Sequence, residues 1–176
     1  MTSAAREPSV LGGALGPSTD VATTDPAPSD VLPAGFRLHV DGTGFAIAIP
    51  EDWTVSKDGS ITDFLEPDGD RFLRIDQTQT PLSDPVADWE SQETDVSTRL
   101  GGYSRIRIEP VSYRDYNAAD WEFTWQADRG AVHVLNRNTI TGPDRAYALY
   151  WSTPEGQWED SLDLFETFVG TFRPAA

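Results

Sequence analysis

The sequence predicts an α+β fold, a mainly antiparallel β-sheet packed by two amphipathic helices. From Ala118 to Thr153 apolar and polar residues alternate with a period of two, in three runs separated by turn residues. That pattern marks consecutive half-buried antiparallel strands. Two other stretches carry apolar residues at helical spacing, so the order is strands, helix, strands, helix. Two helices are too few for the crossovers of a doubly wound parallel sheet.

Residues 1 to 34 are rich in Pro, Ser, Thr, Ala and Gly and hold no aromatic residue. They bury too little apolar surface to offset their conformational entropy and read as a disordered linker. Residues 35 to 174 contain every aromatic side chain and form one domain of ordinary size. Phe36 to Val40 is a first strand, turned by Asp41-Gly42-Thr43-Gly44. Phe45, Ile47 and Ile49 then share one face of a second, ended by Pro50. Trp53 to Ser56 and Ile61 to Leu65 form a hairpin across Lys57-Asp58-Gly59-Ser60. Glu66-Pro67-Asp68-Gly69-Asp70 is a turn before an extended run from Arg71 to Gln79.

Asp84 followed by Pro85 is a helix start, and Val86, Trp89, Val96 and Leu100 form one stripe of a helix over 84–100, stopped by Gly101-Gly102. Tyr103 to Tyr113 is extended, with Ile106 and Ile108 expected opposite Arg105 and Arg107. Trp121, Phe123 and Trp125 share one face of the next strand. Thr153-Pro154-Glu155 reads as a second helix start like the first. Trp158, Leu162, Phe165, Val169 and Phe172 follow on one stripe. Burying these five contributes about 10 kcal/mol before entropy, at about 2 kcal/mol each.

The formal charge of −16 excludes a general nucleic-acid binder, because a phosphate backbone would be repelled. It also disfavours an anionic membrane surface, and no apolar run is long enough to span a bilayer. With no cysteine there are no disulfides, thiolate metal sites or cysteine nucleophiles. Lysine occurs once, at Lys57, against 12 arginines. That bias suggests GC-rich coding.

No motif for a cofactor, metal or catalytic group stands out. His39 and His133 lack the spaced partners of a metal site. His133 alternates with Val132 and Val134 and is expected on the sheet surface. Asp68-Gly69-Asp70 lacks the rest of a calcium loop, and no GxSxG occurs. The six tryptophans fit core positions, with one or two lining a groove.

A polar set drawn from several strands is the one candidate binding site. It comprises Arg74, Arg105, Arg107, Glu122, His133 and Arg137, expected on one face if the registers match. Such forks suit an anionic or carbohydrate-like ligand. A lattice of structural cross-strand ion pairs fits the same residues.

The runs Gly44-Phe45-Ala46-Ile47-Ala48-Ile49-Pro50-Glu51-Asp52-Trp53, Ala87-Asp88-Trp89-Glu90 and Ala119-Asp120-Trp121-Glu122-Phe123-Thr124-Trp125 carry a resemblance, as do 133–138 and 146–154. Together they resemble the C-terminal extracytoplasmic domain of actinobacterial membrane-bound serine/threonine protein kinases and its secreted relatives. More distantly they are similar to the PsbP-like α/β/α sandwich, which includes an extrinsic photosystem subunit and a Ran-binding protein. The resemblance implies a non-catalytic sensor or interaction module, with the N-terminal arm as linker from a membrane helix. It implies no catalytic residues.

The leading functional reading is therefore a ligand- or protein-binding sensor without turnover, its unknown partner placed at the cell envelope. The second is an intracellular protein-interaction module, and the third a hydrolase built from scattered carboxylates. The compartment is extracytoplasmic if the chain is part of an anchored protein, and cytoplasmic if Met1 is the true start.

Overall fold

A computed structural model describes residues 31–67 and 69–176; most of the expected linker, and Asp68, lie outside them. Nine strands and two helices follow in order: β1 (Phe36–Val40), β2 (Ala46–Pro50), β3 (Thr54–Asp58), β4 (Ile61–Leu65), β5 (Phe72–Thr78), α1 (Pro85–Arg99), β6 (Ser104–Tyr113), β7 (Tyr116–Ala127), β8 (Gly130–Gly142), β9 (Arg145–Pro154) and α2 (Trp158–Thr171). Seven strands form one antiparallel sheet in the order β3-β4-β5-β9-β8-β7-β6, and β1 pairs only with β2. The predicted α+β class holds. The sheet is the middle layer, with α1 on one face and α2 with the β1–β2 hairpin on the other.

Each face has its own apolar cluster. Under α2 and the hairpin lie Phe45, Ile47, Ile49, Trp53, Phe64, Leu73, Ile75, Tyr147, Leu149 and Trp151, closed by Phe165, Phe168 and Phe172. Trp151 is fully buried at its centre. Its ring stacks on Trp53 with centroids 6.1 Å apart, and its Nε1 donates to Ser161 Oγ at 3.3 Å. Under α1 lie Trp89, Ala119, Trp121, Phe123 and Val134. Trp89 and Trp121 pack at 5.6 Å, and Trp89 Nε1 donates to the Ala119 carbonyl at 3.1 Å. Five tryptophans are buried and Trp125 is half-buried.

The α1 start follows the sequence reading, since Asp84 Oδ1 accepts from the amides of Val86 and Ala87 at 2.9 and 3.2 Å. The α2 start does not. β9 runs on to Pro154, a 3₁₀ turn spans Glu155–Gln157, and α2 begins at Trp158 without a side-chain cap. Pairing of Pro154 with Val132 explains it, because the ladder holds the chain extended past Thr153. Phe172 caps the end of α2 rather than lying within it.

The alternation expected along β6 also fails, because a bulge falls between Arg105 and Arg107. Ile106 is the extra residue and half its surface is exposed, while Ile108 packs inward. A bulge turns a strand's faces over, so Arg105 and Arg107 point to opposite sides of the sheet.

Phe165 is 1 % exposed and packs beneath the sheet. Phe165→Ala is expected to destabilise the domain by about 3–5 kcal/mol, measured by urea unfolding. An unchanged midpoint would place α2 outside the cooperative unit.

Candidate functional site

The six sequence-predicted site residues do not share a face. Arg107, Glu122, His133 and Arg137 lie on the α2 side, and Arg74 and Arg105 on the α1 side. The bulge separates Arg105 from Arg107, and strand parity places Arg74 beside Tyr150 on the far face. Every one of the arginines meets a carboxylate. Arg74 Nε and Nη2 donate to the two Asp63 oxygens at 2.7 and 2.9 Å, and Arg137 clasps Asp120 the same way at 2.8 and 2.9 Å. Arg107 donates to Glu122 and Glu109, each at 2.6 Å, and Arg105 holds Glu93 on α1.

The four residues on the α2 side belong to one polar network. His133 Nε2 lies 2.8 Å from Glu122 and Nδ1 2.8 Å from Glu155, with the ring flat on Trp158 at 3.5 Å. His133 is thus buried between β7 and the 3₁₀ turn, not on the surface as its alternation with two valines suggested. Those valines face α1, and His133 takes the side that α2 covers.

A second polar cluster ties the hairpin to the sheet. Asp41 accepts from Lys57 Nζ at 2.8 Å on both oxygens, from the Thr43 amide and hydroxyl at 2.8 and 2.7 Å, and from Thr62. Burial pushes the Asp41 carboxyl up, but hydrogen bonds from Lys57 and Thr43 outweigh it and hold it well below the usual range. The chain's one lysine therefore has a structural role that its composition did not reveal. Glu66 and Glu93 are likewise held low by hydrogen bonds from Arg71 and Arg105. These displaced carboxyls sit in ion pairs.

The concave site lies on the other face. A cleft of about 830 Å³ opens between α1 and the strands β8, β9 and β5. Two cross-strand rows make its floor. One reads Trp121, Asn136, Tyr150, Arg74, and the next Asn138, Ala148, Asp76. Ala148 between Asn138 and Asp76 leaves the hollow, and Asp88, Trp89 and Gln92 of α1 form the wall. Asp88 accepts from Asn138 Nδ2 at 2.8 Å and from Gln92 Nε2 at 3.0 Å. Burial pushes the Tyr150 hydroxyl up to about 12, with Arg74 opposing. Asn136 is 8 % exposed, and its Oδ1 is buried without a hydrogen-bond partner.

Of the predicted residues only Arg74 lines this cleft. Asn136, Asn138 and Tyr150 were missed as site residues because they sit in runs that read as ordinary strand. A polar pair at i and i+2 within the apolar β8 was the available signal. Among the described residues, no group of three or more His, Asp or Glu could hold a metal ion.

The family model for a serine/threonine kinase C-terminal domain matches residues 37–174. No curated protein matches the chain. Among solved structures, cyanobacterial PsbP from Synechocystis sp. PCC 6803 is similar with a TM-score of 0.63 at 17 % identity, over 84 % of this chain and 97 % of that one. LpqN of Mycobacterium tuberculosis, involved in cell envelope biogenesis, gives 0.55 at 11 % identity, over 79 % and 91 %. A Pseudomonas aeruginosa protein of unknown function, PA94, gives 0.55 at 14 % identity, over 80 % and 98 %. At these identities the likeness establishes a PsbP-like fold. Among the described residues no helix is long and apolar enough to cross a membrane.

Because the Asp41 carboxyl is held low in the fold, its contribution is complete above the unfolded carboxylate value of about 4 and is lost as pH falls through the lower folded value. Asp41→Asn is expected to cost about 2 kcal/mol at pH 7. The gap from wild type should narrow steadily below about pH 4 in urea titrations. A gap that stays constant down to pH 2 would show that Asp41 is not the linked group.

Proposed function

The chain belongs to the serine/threonine kinase C-terminal domain family, and from that premise we propose that it is a non-catalytic sensor domain binding its ligand in the cleft between α1 and the sheet. One observation carries the reading: the buried Asn136 oxygen without a donor, at the base of an open hollow flanked by Trp121 and Tyr150. A buried acceptor left unpaired costs free energy that a bound donor recovers. Pockets of this size, apolar in part with a few convergent polar groups, are the usual form of a small-ligand site. Arg74, Arg99, Trp89 and Trp121 all line it, which favours a ligand groove over a flat docking patch.

A sensing role outside the cytoplasm is supported by the family's association with kinases and by the envelope role of LpqN, one of the structural neighbours. The absence of turnover is supported by where the displaced carboxyls lie, in the ion pairs of Asp41, Glu66 and Glu93 and outside the cleft. The arginine network on the α2 side is then structural, each fork closed by a carboxylate of the same chain. Protein docking, the second reading, is placed by the sequence on the sheet face or the acidic helix; the exposed apolar side chains of Leu38 and Val40 lie instead on β1.

Ala148→Leu should fill the hollow without disturbing the ladder, since the side chain of Ala148 faces the cleft. Native mass spectrometry of the chain purified from its own host is expected to find a small molecule on the wild type. The Ala148→Leu protein, folded by circular dichroism, should have lost it. Equal occupancy in both proteins would overturn the cleft as the ligand site.

A further inference from the structure

We propose that the cleft recognises an organic cation, an alkylammonium or guanidinium group carried on a flexible chain; this rests on the cleft being the ligand site. Two arginines and two aspartates line it, and the arginines are already paired. Arg74 is clasped by Asp63, and Arg99 pairs with Asp95 at 2.6 Å. Asp76 and Asp88 also line the cleft, half-buried. Asp76 accepts from Ser60 Oγ at 2.7 Å and from the Gln77 amide at 2.8 Å, and Asp88 from Asn138 and Gln92. These hydrogen-bond donors are neutral and leave both carboxylates spare lone pairs, with Arg74 acting on Asp76 only through space. Counting the partners Asp63 and Asp95, which lie outside the lining, the cleft and its rim hold four carboxylates against two arginines.

The unpartnered Asn136 oxygen points to the same chemistry independently, because it accepts and requires a donor from the ligand. Two carboxylates and an amide oxygen around one hollow match a group with several N–H donors and a positive charge. An anion would meet Asp76 and Asp88 with both cleft arginines already engaged. A sugar would lack a platform, because Trp89 and Trp121 are each only 2 % exposed. The negative charge of the whole chain adds attraction at long range. A cleft of about 830 Å³ accommodates a chain-borne group such as a lysine or arginine side chain or a polyamine.

The test is a titration of the full chain at 0.15 M salt, followed by amide NMR, with spermidine, acetyl-Gly-Lys-Gly-amide, trehalose and citrate as probes. Spermidine or the lysine peptide is expected to shift cleft resonances saturably, and which of the two binds more tightly identifies the source of the cation. Asp88→Asn should weaken that binding at least about tenfold, as loss of a charged hydrogen bond does. Asp160→Asn makes the same charge change on the exposed first turn of α2 and should alter it less than about twofold. Equal weakening by both variants would reduce the effect to general charge and overturn the proposal. Saturation of the cleft by trehalose or citrate but not by the cations would also overturn it, and would leave the ligand-site reading standing. A cleft silent to every probe overturns it too, while the Ala148→Leu mass comparison separately decides whether the cleft holds a ligand at all.

Discussion

A seven-stranded sheet has two broad faces, and a single helix cannot cover either. At about 4.8 Å between strands the sheet is nearly 30 Å wide, whereas a helix with its side chains is about 10–12 Å across. On one face the deficit is made up by two elements together. α2 lies over β9, the β1–β2 hairpin packs against α2, and Trp151 at the centre touches both Trp53 and Phe168. On the other face α1 is the one helix among the described residues. It packs on β6, β7 and β8 and leaves β9 and β5 uncovered. The cleft is the uncovered remainder.

The α2 side also gathers most of the buried ion pairs. Where α2 and the hairpin close down, buried charges have to find partners within the protein, since an unpaired ion there is strongly destabilising. Asp120, Arg107, Arg137, Glu122, His133 and Glu155 meet that requirement as one connected network, and Asp41 meets it with the only lysine. Where α1 leaves the sheet open, the buried Asn136 Oδ1 has no hydrogen-bond partner. The predicted arginines pair with the fold's own carboxylates, and the open cleft is framed by amides, acids, rings and the paired Arg74 and Arg99.

Much of the fold was legible because its signals are local. Period-two alternation located the strands of the meander, Asp84-Pro85 located the start of α1, and the Trp158-to-Phe172 stripe located α2. The errors came where pairing partners override local pattern. Pro154 stays in β9 because Val132 holds it there, and Ile106 bulges out because β6 must bring Arg105 opposite Phe123 and Arg107 opposite Glu122. His133 looked exposed because alternation tells which residues share a face without telling what covers it.

By itself the sequence determined the class of fold, the order of its elements and the acidic balance of the chain. These follow from side-chain periodicity and charge, which need no knowledge of which strands are neighbours. Tertiary structure alone decided that Trp121, Asn136, Tyr150 and Arg74 stand side by side, although 47 positions separate Arg74 from Trp121. It also decided that two predicted site residues face away from the other four. The physical reason is register: a shift of one residue moves every side chain of a strand to the opposite face, and register is fixed only when the whole sheet assembles.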